Sequence, residues 1–245
     1  MRLFSLAAAT ALTILPLAAL AQDDATPETG EPAAEAVTIP EMALGRPDAP
    51  VTVIEYGSLT CPHCANWHAT SYPQLKAEFI DDGQVRYVFR EVYFDRFGLW
   101  ASMVARCGGE MRFFPIVERL YAEQRDWVGD GQPAAIADAL RRIGLASGLA
   151  AEQVDSCLRD EAQAEALVAW YQANAEADGI NATPTFLING EKHSNMAWEE
   201  MRALIEAELA EAGAAGSTDG TQTEAGSEGG TGAGTAGEAA EAPAE

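Results

Sequence analysis

Basic residues are scarce in this chain: 15 Lys and Arg stand against 38 Asp and Glu in 245 residues, a formal net charge of −23. A surface of that sign repels phosphate backbones, which excludes nucleic acid as a partner. Histidine is scarcer still, at three residues. No second Cys-x-x-Cys and no His-x-x-x-His accompanies Cys61-Pro62-His63-Cys64, so the four ligands usual for structural zinc are missing and no metal is expected. Only one apolar run, Leu3 to Leu20, approaches membrane-spanning length, and Pro16 interrupts it.

That run follows Arg2 and ends in Ala19-Leu20-Ala21, an A-x-A cleavage pattern, so residues 1–21 are expected to be a signal peptide with the mature chain starting near Gln22. An oxidising, extracytoplasmic space is implied, most simply a bacterial periplasm. The acidity is unevenly spread. Residues 22–43 hold six acids and no bases, residues 213–245 another six and no bases, and residues 44–212 hold 26 acids and 14 bases. Residues 22–43 are expected to be a disordered linker, and the Gly/Ala-rich residues 213–245 a disordered tail. Between them, about 170 residues suit one domain with a real core.

Four cysteines in an oxidising space suggest two disulfides. Cys61 with Cys64 leaves Cys107 and Cys157, which either pair as a structural bond, the expected outcome, or stay as separate buried thiols. Pro62 makes the first pair readable, because proline suits the first helical position, where its missing N–H costs nothing. Cys61 then falls at the N-cap. Its sulfur faces the free N–H groups of His63 and Cys64 and the positive end of the helix dipole, and protonated His63 would add charge. Such surroundings lower a thiol pKa from about 8.5 toward roughly 3.5–7.5. Cys61 is the expected nucleophile and Cys64 the more buried resolving thiol. His68, four residues after Cys64, is expected to be a surface or groove histidine.

Val51–Tyr56 reads as a strand and residues 62–80 as a helix that Pro73 kinks or divides. Gln84–Tyr93 is a second strand. From about residue 99 to 178 helical patterns alone are convincing, at 103–107, 113–124, 134–143, 151–158 and 162–177. Pro184–Ile188 resumes strand character, Asn189-Gly190 is a hairpin turn, Glu191–Ser194 pairs back, and residues 198–212 form a closing helix. Glu55 shares a strand face with Val51 and Val53 and is expected to be buried, placed to pass a proton to or from Cys64.

Cys61-Pro62-His63-Cys64 after a strand, Ala182-Thr183-Pro184-Thr185-Phe186 before the late hairpin, and the helical block between them resemble the DsbA-like thiol-disulfide oxidoreductases over residues 44–212. The resemblance implies an α/β thioredoxin fold with an α-helical insertion at about 97–178. It also implies a cis Pro184 beside Cys61, with the Thr183 backbone pairing to an extended substrate segment, and it puts the family's acidic residue at Glu55. The implied activity is oxidation of thiols in reduced or partly folded exported proteins, with a DsbB-like membrane quinone reductase restoring the disulfide, no prosthetic group, and a monomeric state. A reductase or isomerase of the same fold is the alternative within this chemistry. A periplasmic metal chaperone using Cys61, Cys64 and His68 or His193 is the alternative outside it. Trp67, Trp100, Trp127, Trp170 and Trp198 read as core, while Tyr93, Phe94, Phe97 and Trp100 could line an apolar client groove.

Overall fold

A seven-residue strand, β2 (Val51–Gly57), runs through the centre of the molecule and is buried on both faces. Its alternation decides what each face holds. Val51, Val53 and the Glu55 carboxylate face the main core with Tyr87, Phe89, Phe186 and Ile188. Ile54 and Tyr56 face a smaller cluster with Val92, Leu187, Tyr171 and Ile180. The computed structural model describes residues 37–218. The N-terminal apolar run, the acidic stretch to residue 36 and the tail past residue 218 lie outside the described residues.

Among the described residues one sheet of five strands forms. β3 (Val85–Glu91) is parallel to β2 with Val51 opposite Val85 and Glu55 opposite Phe89. Such a pair needs a crossover, supplied by α1 (Pro62–Thr70), α2 (Tyr72–Leu75) and a π-helical turn over Lys76–Ile80. Pro73 therefore divides the long helix read from sequence. β4 (Thr185–Ile188) lies antiparallel to β2, and β5 (Glu191–Ser194) folds back on it. Asn189 and Gly190 turn that hairpin with φ of 46° and 89°, the doubly positive conformation that tight hairpins favour.

β1 (Met42–Leu44) pairs antiparallel with β3, setting Met42 opposite Phe89 and completing the order β1-β3-β2-β4-β5. The linker boundary at residue 43 is thus corrected: buried Met42 already belongs to the sheet. At the far end, α9 (Trp198–Thr218) runs six residues past residue 212, the expected end of the closing helix.

The helical block comprises α3 (Arg96–Cys107), α4 (Glu110–Ala122), α5 (Gln124–Val128), α6 (Pro133–Ala146), α7 (Ala151–Cys157) and α8 (Glu161–Ala177). Asp95 caps α3 by accepting from the Phe97 and Gly98 N–H groups, a contact worth about 1 kcal/mol. Two links hold α3 in place. Cys107 and Cys157 are disulfide-bonded, tying α3 to α7 across 50 residues. Arg106 forms a two-pronged ion pair with Glu91 of β3 at 2.6 and 2.7 Å, both side chains buried, and also donates to the Pro40 carbonyl.

Candidate active site

Four residues after β2 ends, the chain enters α1 with Cys61 as N-cap in extended backbone and Pro62 at the first turn. The local sequence leaves little choice: proline fixes the helix start and the preceding residue is driven out of helical conformation. Cys61 is half-buried and Cys64, one turn on, is buried; both are free thiols. The Cys61 thiol lies 3.5 Å from the Thr183 carbonyl, and the Thr183–Pro184 peptide is cis. The two distant motifs of the sequence therefore meet at one sulfur.

The two thiols are driven apart electrostatically. Cys61 is lowered to about 5, first by a hydrogen bond from the Cys64 thiol and against the opposing effect of burial. The Thr183 side chain and the backbone N–H groups of Cys64 and His63 add to the lowering. Apart from this contact, the buried Thr183 hydroxyl has no hydrogen-bond partner among the described residues. Cys64 is pushed far up, by burial first, then by its bond to Cys61 and by the Glu55 charge. His63 acts through its backbone; its side chain is exposed, and the imidazolium help expected from sequence is not among the causes.

Glu55 is fully buried on the core face of β2. Tyr87 donates its hydroxyl to Oε2 at 2.5 Å, and His68 Nε2 lies 3.0 Å from the same oxygen. His68 is buried, not a surface or groove residue, because α1 turns position 68 inward, where the ring stacks on Tyr121 at 4.2 Å. Among the described residues no group of three or more His, Cys, Asp or Glu side chains could hold a metal ion. Gly57 leaves room for this cluster: a Cβ there would stand 2.6 Å from the Phe89 ring and 2.7 Å from Glu55 Oε1.

Sequence reasoning missed the partners of Glu55. Tyr87 was findable, since it sits two residues from Phe89 on the same face of β3. Gln124 was not: this buried side chain of α5 donates to the carbonyls of Leu59 and Cys61, and nothing in its neighbourhood in sequence marks it. Of the tryptophans, Trp67, Trp127 and Trp198 are core, whereas Trp100 and Trp170 are half-buried. Exposed Phe94 lies next to Asp95, which holds Thr60 beside Cys61 at 2.7 Å. A cavity of about 370 Å³ beside α1 is lined by His68, Tyr72 and Tyr121 but by neither Cys61 nor Pro184, so it is not where a client disulfide would form.

A family model described as Thioredoxin matches residues 37–207. A Rickettsia bellii protein provisionally named a protein-disulfide oxidoreductase is 33% identical over 173 residues, covering 70% of this chain and 66% of the relative. Disulfide bond formation protein D of Bacillus subtilis is 27% identical over 183 residues, covering 69% of this chain and 77% of that protein. The crystal structure of Wolbachia pipientis alpha-DsbA1 superposes with a TM-score of 0.68 at 27% identity, covering 73% of this chain and 96% of that one. This chain spans slightly less than two thirds of the length of the Rickettsia relatives.

Proposed function

The chain belongs to the thioredoxin family, in its DsbA-like group, and from that premise we propose that it oxidises pairs of thiols in exported proteins through Cys61 and Cys64. In the oxidised protein a client thiolate attacks Cys61 Sγ. The Cys61–Cys64 bond breaks, a mixed disulfide forms, and Cys64 leaves with the electron pair. Burial makes the Cys64 thiolate costly, so it takes a proton at once, with Glu55 as the nearby carboxyl to supply or relay it. A second client thiolate then attacks the client's own sulfur, closing the client disulfide and releasing Cys61 as thiolate. Two electrons have passed from client to protein.

The observation that carries the oxidising direction is the lowered Cys61 thiol, at about 5. A stable Cys61 thiolate is a good leaving group and favours the reduced protein, which makes the disulfide a strong oxidant, the trend by which a stabilised reduced form makes DsbA oxidising. Thr183 and Pro184 offer backbone beside the sulfur where an extended client segment can add without its sequence being closely read. Reoxidation by a DsbB-like membrane quinone reductase and an extracytoplasmic location complete the reading. No helix among the described residues is long and apolar enough to cross a membrane.

The test supplies oxidised protein to a reduced, unfolded client with one native disulfide. We expect one client disulfide per Cys61–Cys64 pair consumed and none with Cys61→Ser. Failure to oxidise, with the reduced protein instead rearranging a scrambled client, would move the reading to an isomerase.

A further inference from the structure

The loop that presents Cys61 is held from outside the thioredoxin core. Cys61 sits at the end of a turn closed by its own N–H to the Ser58 carbonyl at 3.0 Å. The side-chain amide of Gln124, on α5 of the helical block, donates to the Leu59 carbonyl at 2.8 Å and to the Cys61 carbonyl at 3.0 Å. Both of its N–H bonds are thereby committed. On the same loop, Thr60 donates to Asp95, whose other oxygen caps α3. The helical block thus grips residues 59, 60 and 61 through two side chains, one buried and one at the surface.

We propose that Gln124 is a positioning residue for the redox pair: by fixing the Cys61 carbonyl it holds the N-cap so that the His63 and Cys64 N–H groups face the Cys61 sulfur. The inference rests on the redox reading above and assigns part of its tuning to a residue of the insertion. The Cys61 carbonyl also accepts the helical bond from the Ala65 N–H at 3.1 Å, so the Gln124 amide is a second donor on it. Such a donor limits rotation of the peptide plane that joins Cys61 to Pro62. Leu59 is different. Its carbonyl sits in a fully buried stretch, and the Gln124 amide is what satisfies it.

A purely structural clamp would stabilise the oxidised and reduced forms equally and leave the balance between them unchanged. A positioning clamp changes the balance. The test compares wild type with Gln124→Met, which keeps the length and apolar volume but has no N–H to donate and adds no charge, and with Gln124→Ala, which leaves room for water at the two carbonyls. Thiolate absorbance against pH and the equilibrium with glutathione are read on each folded variant. We expect the thiolate midpoint of Gln124→Met to rise and the glutathione equilibrium to move at least about threefold toward the oxidised form, half a pKa unit's worth. Gln124→Ala should shift the same way. Unchanged midpoint and equilibrium in either folded variant, whatever its loss of melting temperature, would overturn the inference. The redox reading would survive, since it depends on the wild-type values alone.

Discussion

Cys61 and Cys64 are chemically identical and one helical turn apart, yet one sits at the mouth of the helix and the other beneath it. The hydrogen bond from Cys64, with Thr183 and the helix-start N–H groups, lowers the first to about 5, while burial, the bond to Cys61 and the Glu55 charge push the second far up. The consequence for stability has a definite sign. Ionised Cys61 favours the folded reduced protein fully above the unfolded thiol's value of about 8.5, and the gain is lost as pH falls through about 5. Neutral Cys64 acts oppositely, contributing below about 8.5 and losing its contribution as pH rises beyond it. Urea melts of the reduced protein, referenced to the oxidised form, should therefore show a stability difference that climbs from about pH 5, peaks at about 8.5 and then declines; a flat profile would contradict the assignment. For Glu55, held by Tyr87 and His68, Glu55→Gln should slow client exchange most where Cys64 must gain or lose a proton and alter its pH dependence. Wild-type rates at every pH would remove it from the mechanism. The N-cap was legible from Pro62, and the buried face of Glu55 from strand alternation. His68 as a Glu55 partner was not, because it reaches the carboxylate from α1, and only the packing of that helix on the core face of β2 brings the two together.

At the scale of elements, the helical block shares one apolar core with the sheet, and two specific bonds add to that packing, one within the block and one from the block to β3. The Cys107–Cys157 bond closes a 50-residue loop and contributes about 4 kcal/mol on the chain-entropy account. The Glu91–Arg106 pair is of another kind, since two charges buried together gain little over an apolar pair but are costly to separate. Arg106→Met alone should cost about 3–5 kcal/mol in urea unfolding, whereas adding Glu91→Gln should recover part of it; equal losses in the single and double variants would show that Glu91 was never left unpaired. Helices α3, α4, α6, α7 and α8 were visible as periodic apolar patterns and the β4–β5 hairpin as Asn189-Gly190, whereas the five-residue α5 was not. Strand β1 was invisible, because three residues carry no period and Met42 lies beside acidic, proline-bearing sequence. Nor could composition reveal Gln124 or Arg106. A buried polar side chain looks in sequence like an exposed one, and only its distant partners distinguish them.

For the whole molecule, the fold brings a dithiol, a cis Thr183–Pro184 peptide and a buried carboxylate to one end of a sheet, in a chain whose formal net charge is −23. Membership of the thioredoxin family follows from the matched residues, but the direction of electron flow follows from the relative stability of two thiol states. The measurement that bears most directly on it is a titration of the Cys61–Cys64 pair against glutathione, with Cys61 thiolate absorbance followed against pH in the same preparation. A thiolate midpoint of about 5 is expected, with a pair that stays reduced where ordinary structural disulfides are oxidised. An unshifted thiol at about 8.5 together with a strongly reducing pair would contradict the oxidising role of Cys61 and Cys64.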